Sequence, residues 1–553
     1  KTRLGWIDYR TAGDLIRLSG LERESESLYP LLLSLFLALN EGSLCLPLEE
    51  ETLAHRLSTL VPQEMEQSIA QEILVGIRSR KWGELIAYEG GDFLPLIVHH
   101  EGENEFLYFQ KYNAKEKQLA EDFARLLEVP NEQVPVDRVR PILEETLTQS
   151  PVRRGKDPVH LNIQQKVALC FSILQRVTII SGGPGTGKTS IVVSVLRALV
   201  RMGVPIDRIR LAAPTGRAAN RMSESIRSAI DSIEAPSEND LALKGLEGMT
   251  LHRLLKYRSG PIPFRYHRFN PLPADLVVID EVSMVDVVLM ADLISAIRPG
   301  TRLILLGDKD QLPSVEAGAV LGNLIPGLIQ SCLSTKGKEQ VESLLGETIG
   351  TPASRVETRA ADRVILLDTS YRSEASILRV ADEINRGDLC ALEQLGNHRL
   401  GVENHPDRVQ IEWPIAEGEG GKPISGLVGG GVRWIDASDN GTMDWMRVLD
   451  SWIDCHFLQS EKGVRPFFAL TGKPLSTIGA AKGPEEERLT ALFRWLESSR
   501  ILCLPRKGPY GVEWVNRHVS ARMKEATGYT GRGNIYPGLP ILILQNDLSL
   551  GLF

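Results

Sequence analysis

The chain has 553 residues, 42% hydrophobic and 24% charged, which is length for three or four domains at roughly 150 residues each and excludes a single small binding module. Its 63 basic and 71 acidic side chains leave a formal charge of −8, so it is no polycation gripping nucleic acid by overall charge. The imbalance is local: residues 1–110 carry 18 Asp/Glu against 9 Lys/Arg, whereas the other 443 residues hold 53 and 54, so phosphate-binding surfaces belong after residue 110.

Residues 1–110 combine helical spacing (Ile69, Ile73, Ile77) with short apolar runs and show no phosphate or metal signature. They predict a small, mainly helical N-terminal domain whose acidity suits docking a partner protein rather than DNA. The apolar run Leu28–Leu39 is too short to cross a bilayer and reads as a core helix; with no signal peptide, a cytoplasmic location is expected. Residues 111–160 read as a charged, mostly helical connector broken at Pro130 and Pro135. Six cysteines (Cys45, Cys170, Cys332, Cys390, Cys455, Cys503) stand far apart without zinc spacing, so buried thiols in a reducing compartment are expected.

From residue 161 short β-rich runs alternate with helical stretches: Val177–Ser181, Ile209–Ala213, Leu276–Ile279 and Leu303–Leu306. That alternation predicts βαβ units and a parallel sheet covered on both faces. Residues 331–362 turn polar and read as a surface insertion. A second α/β region starts at Val364–Leu367, continues with a helix over Ile377–Ile384 and a Gly-rich loop over 416–442, and ends with a strand at Ile501–Leu504, a helix after Gly511 and a strand at Ile541–Leu544.

The chemistry concentrates in three places. Gly182, Gly183, Pro184, Gly185, Thr186, Gly187, Lys188, Thr189 and Ser190 lie between a β-run and an apolar-periodic helix and satisfy GxxxxGK[ST] in its required context. Glycines let backbone N–H groups turn in around phosphates at a helix N-terminus, Lys188 should reach the β- and γ-phosphates, and Thr189 should hold Mg²⁺. Asp280 and Glu281 end the run Leu276–Ile279, placing one carboxylate for Mg²⁺ and the other for the attacking water, unless the pair is a solvated turn. Asp308 to Gln311 end the next run; Gln311 could sense the γ-phosphate, although taken alone this segment reads first as a β-turn.

Together SGGPGTGKTS, APTGRAA (213–219), TLHRLL (250–255), VVIDEVSM (277–284), LGDKDQLPSVEAGAVLG (306–322) and TSYRS (369–373) resemble the successive motifs of RecD-type superfamily 1 helicases, the α subunits of exodeoxyribonuclease V. The resemblance runs over nearly the whole chain. It implies two RecA-like P-loop motor domains, at 161–363 and 364–553, driving 5′→3′ movement on DNA beside RecB- and RecC-like subunits, with ATP and Mg²⁺ as cofactors. It assigns Gln165, after Leu161 and Asn162, to the adenine edge, Tyr371 to stacking on adenine and Arg372 to the γ-phosphate. Along the single strand it places Pro214, Thr215, Gly216, Arg217, Thr250, His252 and Asn516, with Asn385 and Asn546 as weaker candidates; by itself His252 reads as a core or cap histidine. Against the family pattern the chain stops before the last two motifs, so the second motor domain is expected to be incomplete and both ends read as those of a fragment. No nuclease site is expected, since Pro406-Asp407 is not followed by a nearby Asp/Glu-x-Lys. An RNA-directed helicase of the same superfamily and a non-catalytic ATP-binding interaction subunit are the competing readings.

Overall fold

The computed structural model describes residues 4–325 apart from 63, 89–92, 132–133, 259, 261–262, 312–316 and 319, then 331–350 except 332, 361–371, 375–387, 403–405, 408–410, 442–454, 484–497 and most of 500–539. It falls into two units, Lys1–Ser373 and Glu374–Phe553.

The first unit opens with helices α1 (Trp6–Leu18), α2 (Ser25–Asn40), α3 (Glu50–Leu57) and α4 (Glu66–Arg78) and a four-stranded sheet of β1 (Cys45–Pro47), β2 (Ile86–Ala87), β3 (Leu96–Glu101) and β4 (Asn104–Phe109), ordered β1-β4-β3-β2. The apolar run forms α2, as expected, and Leu28, Leu31, Leu32 and Leu35 are fully buried. The sheet is an addition to the helical expectation, and its alternation explains why. Leu46, Ile86, Leu96, Val98 and Leu107 point into the core of the four helices. Their neighbours Ala87, Ile97 and Tyr108 join a second core with residues far along the chain. Successive side chains face opposite sides of a strand, so both faces of this sheet are apolar.

That second core belongs to a six-stranded sheet, β12-β7-β11-β10-β8-β9, built from β7 (Val177–Gly182), β8 (Ile209–Ala213), β9 (Gly248–Thr250), β10 (Leu276–Ile279), β11 (Arg302–Gly307) and β12 (Val364–Leu367). All its pairings are parallel. A parallel sheet needs both faces covered. On one side Ile180, Leu211, Val278 and Leu306 pack with α6 (Val136–Glu144), α7 (Ile163–Leu174), α8 (Lys188–Arg201) and α9 (Gly216–Asp231). On the other Ile179, Val277 and Leu305 pack with α5 (Gln110–Leu127), through Leu119 and Phe123, and with the helix Val287–Ala296. The connector helix α5 therefore lines the core of the parallel sheet, and an ion pair from Lys115 to Asp292 at 2.5 Å fastens it.

Two expectations are corrected here. Val364–Leu367 pairs with β7 and so closes the first sheet rather than opening a second domain, because its four residues are buried apolar and need a covered sheet. The described part of the polar stretch, 331–350, is not the expected surface insertion: the helix Thr335–Leu345 buries Val341 and Leu344, with Leu333 and Ile349, in the first core.

In the second unit helices span Ala375–Asn385, Thr442–Ile453, Pro484–Glu497 and Val512–Thr527, and Glu403–His405 pairs antiparallel with Arg408–Gln410. Residues 501–504 form no strand, and Leu502 and Leu504 are fully exposed; an extended segment without a ladder partner is not a strand. The Gly-rich stretch over 416–441, with 411–415, and the expected strand at 541–544 lie outside the described residues.

Candidate nucleotide site and single-strand track

The P-loop leaves the end of β7, turns at Gly185 and Gly187, and enters α8 at Lys188. Gly187 has φ +83 and N-caps the helix; a Cβ there would also strike the Gln165 amide, so glycine is required twice over. The Lys188 ammonium donates to the Gly182 and Gly183 carbonyl oxygens, which holds it over a loop of the kind whose N–H groups cradle phosphate.

Gln165 is buried, and its carboxamide is engaged at both ends. Its oxygen accepts the Asn162 N–H at 2.9 Å in a reciprocal cap of α7, and its nitrogen donates to the Thr186 carbonyl at 2.8 Å. Here it ties α7 to the P-loop. After β12 the chain lies along the same loop: Tyr371 N–H donates to the Gly185 carbonyl at 2.9 Å and Ser370 hydroxyl to that of Pro184 at 2.8 Å. The Asn162 amide donates to the Tyr371 hydroxyl at 2.9 Å, leaving a half-exposed ring beside the loop. Tyr371 thus sits in the first unit, not in a second domain. Arg372 lies outside the described residues.

Strands β11 and β10 are the next two in the sheet from β7, and parallel strands bring their C-terminal ends to one edge. Burial pushes the Asp280 carboxyl up, against the Glu281 N–H bonded to it at 2.8 Å and the charge of Lys188. Burial and the neighbouring Asp280 likewise push Glu281 up, and Lys188 opposes this. The three groups therefore share one field. Glu281 also has φ +54, uncommon for a non-glycine residue and a mark of a constrained site. Asp308 is buried, its carboxylate accepts the Asp310 N–H at 3.1 Å, and Lys309 N–H donates to Ser181 at 3.0 Å. The turn that carries exposed Gln311 is pinned to the end of β7.

The proposed track residues of this unit stand along the same edge. Thr215 N-caps α9, accepting the Ala218 N–H at 3.2 Å, with Pro214 before it and exposed Gly216 and Arg217 after it. Ala213 on β8 pairs with Thr250 on β9, and Thr250 caps the short helix Leu251–Leu255. His252 is exposed rather than core, in a ring cluster with Tyr257 and Phe264 at 6.0 and 5.8 Å. Tyr266 lies between Lys256 and Arg265. Sequence reasoning passed over these rings, although KYRSGPIPFRYHRF interleaves basic and aromatic residues openly. Asn516 and Asn385 are exposed on helices of the second unit, and Asn546 lies outside the described residues. Of the cysteines, Cys170 is a buried free thiol, and Cys45 and Cys503 are free and half-buried.

Fold and site together define a P-loop nucleotide-binding domain, and the family model of an AAA domain matches residues 165–317. The chain is a relative of RecD subunits: it is 33% identical over 401 residues to the RecBCD enzyme subunit RecD of Mycolicibacterium smegmatis, covering 70% of this chain and 55% of that one. It is 31% identical over 467 residues to the RecD subunit of Mycobacterium tuberculosis, covering 83% and 64%. An ATP-dependent RecD2 DNA helicase from Deinococcus radiodurans is 39% identical over 146 residues, 26% of this chain and 17% of that one. The chain thus spans about three-fifths of the curated RecD subunits it matches.

If Tyr371 covers a nucleotide base, Tyr371→Ala is expected to weaken ATP binding about tenfold, the scale of one aromatic–base stack. Tyr371→Phe should bind as the parent does. Equilibrium binding of ATP and of inorganic triphosphate separates the two, since only ATP should discriminate.

Proposed function

We propose that the chain is the ATP-hydrolysing motor of a DNA helicase subunit of the RecBCD kind, moving 5′→3′ on single-stranded DNA in double-strand break repair and recombination. The observation that carries this reading is the convergence of Lys188, Asp280, Glu281 and the Gln311 turn on one sheet edge, next to a row of small polar track residues. Thr189 and Asp280 offer hydroxyl and carboxylate oxygens, the hard donors Mg²⁺ takes alongside phosphates; bound there, the ion would neutralise charge on the β- and γ-phosphates. Glu281 orients the attacking water, Gln311 senses the γ-phosphate, and Arg372 adds transition-state charge. Gln165 contributes to the adenine pocket while bracing the loop. Pro214, Thr215, Arg217, Thr250, His252 and Asn516 hold DNA by its backbone, as a motor that ignores sequence requires.

The second unit, Glu374–Phe553, supplies the second motor domain, and polarity follows from the family likeness. RecB- and RecC-like subunits are the partners. The acidic N-terminal domain, which leaves Trp6, Ile7 and Leu18 of α1 exposed, provides a docking surface for them. The site of action is the cytoplasm, and the chain itself cuts no DNA. The decisive experiment follows ATP turnover and movement on single strands blocked at either end, using the full-length protein. The expected result is DNA-stimulated hydrolysis and displacement of the block at the 3′ end only. RNA stimulating better than DNA, nucleotide binding without turnover, or metal-dependent nuclease activity of the isolated chain would each contradict the assignment.

A further inference from the structure

The turn before β1 reaches the hydrolytic edge of the sheet. The Gly42 carbonyl accepts the N–H of Gly318 at 3.0 Å, and Gly318 lies seven residues past Gln311 in the chain. Gly318 has φ +102, and a Cβ there would stand 2.9 Å from Val287 Cβ and 3.1 Å from Leu44 Cδ2. The N-terminal domain, through Gly42 and Leu44, and Val287, the first residue of the helix Val287–Ala296, therefore close on one glycine. Leu44 is buried in the same core as Val287, Ala317, Val320 and Leu321. The contact continues inward: Leu321 Cδ2 would lie 2.5 Å from a Cβ on Gly307, and the Ser283 nitrogen 3.3 Å. Gly307 ends β11, directly before Asp308. A close-packed path thus joins Gly42 and Leu44 to both the Glu281 turn and the Gln311 turn. Packed interiors transmit displacement because they have few voids to absorb it.

We propose that the N-terminal domain is a positioning element of the hydrolytic site. Gly42 and Leu44 hold Gly318 and the core around it, and through Leu321 and Gly307 the turn that begins at Asp308, in the register that turnover needs. Whatever docks on the domain then adjusts the rate of hydrolysis more than the affinity for ATP. The proposal rests on the ATPase reading above.

The test uses the full-length protein at saturating single-stranded DNA, with kcat, KM for ATP and the Kd of a fluorescent ATP analogue measured in each variant. Leu44→Ala and Gly318→Ala are expected to lower kcat about 5- to 10-fold, the scale of coupling along such paths, with KM and Kd within about twofold. Leu44→Met should restore most of the rate. Leu57→Ala, in the separate core of the four N-terminal helices, removes as much buried volume and should lower the melting temperature with kcat intact. If Gly318→Ala does not fold, the Leu44 pair decides. Unchanged kcat in Leu44→Ala, a rise in Kd that matches the loss of kcat, or an equal loss of kcat in Leu57→Ala overturns the proposal. A parent protein that hydrolyses no ATP overturns the ATPase reading and the proposal with it; an active parent with silent variants overturns the proposal alone.

Discussion

Lys188→Ala is expected to abolish DNA-stimulated ATP turnover in the full-length protein while the fold persists. Lys188 is the first residue of α8 and rests over the loop carbonyls, so its removal breaks no core contact. It takes away the cation that counters the raised carboxyls of both Asp280 and Glu281, Arg221 acting on Glu281 alone, and that would face the transferred phosphate. A preorganised electrostatic donor of this kind is worth about 10²–10³ in rate. Asp280→Ala should be as damaging, by loss of metal placement. Phosphate release at saturating DNA, with circular dichroism as the folding control, makes the comparison. Undiminished turnover in either variant would remove the assignment of this edge as the hydrolytic site.

Asp240→Ala is expected to cost the first unit about 3–5 kcal/mol, the range for breaking a buried ion pair by removing one partner. Asp240 and Arg197 are fully buried. Arg197 Nε and Nη2 donate to the two Asp240 oxygens at 2.8 and 3.3 Å, and its Nη1 donates to the Thr146 carbonyl at 2.8 Å. Arg201 donates to both Asp240 oxygens at 2.9 Å and to Glu145 at 3.0 Å. Removing the carboxylate leaves one fully buried guanidinium and one largely buried one facing each other. Burial alone would push the Asp240 carboxyl up, but the two guanidinium groups outweigh it and hold it well below the usual carboxylate range. Its contribution is therefore complete above the ordinary carboxylate pKa and is lost only as pH falls through the depressed folded value. Chemical denaturation of the parent, Asp240→Ala and the double variant Arg197→Met with Asp240→Leu provides the measurement. The double variant should recover part of the loss, because it removes the fully buried Arg197 charge along with its partner and leaves Arg201 with Glu145 as its remaining carboxylate. A single variant within 1 kcal/mol of the parent would mean the cluster is not a joint of the fold; here ~1 kcal/mol is the ceiling for an exposed pair.

That cluster was not legible beforehand. Arg197 and Asp240 are 43 residues apart and in sequence read as ordinary surface charges; only the packing of α8 against the helix Glu238–Leu243 and the segment Glu145–Gln149 buries them. The P-loop, by contrast, was readable to the residue, because phosphate binding demands glycines, a lysine and a hydroxyl within eight positions of a strand end. Asp280 and Glu281 were readable for a related reason, since a carboxylate pair at the tip of a buried apolar run has one place to go. The sequence names Gln165 and His252 but not their surroundings: a carboxamide shared between a helix cap and the loop, and an imidazole held among rings.

The sequence by itself determined the class of fold, the nucleotide-binding loop and the identities of the charged residues around it, because these depend on local periodicity and on short spacings. Tertiary structure alone decided that β11 stands between the P-loop strand and the strand bearing Asp280. It alone decided that Val364–Leu367 closes the first sheet and that the N-terminal sheet turns a second apolar face into the core of the parallel sheet. Each of these is a choice of neighbour among elements distant in the chain. Alternating apolar residues show that a strand has faces to bury, and only the packed whole shows against what.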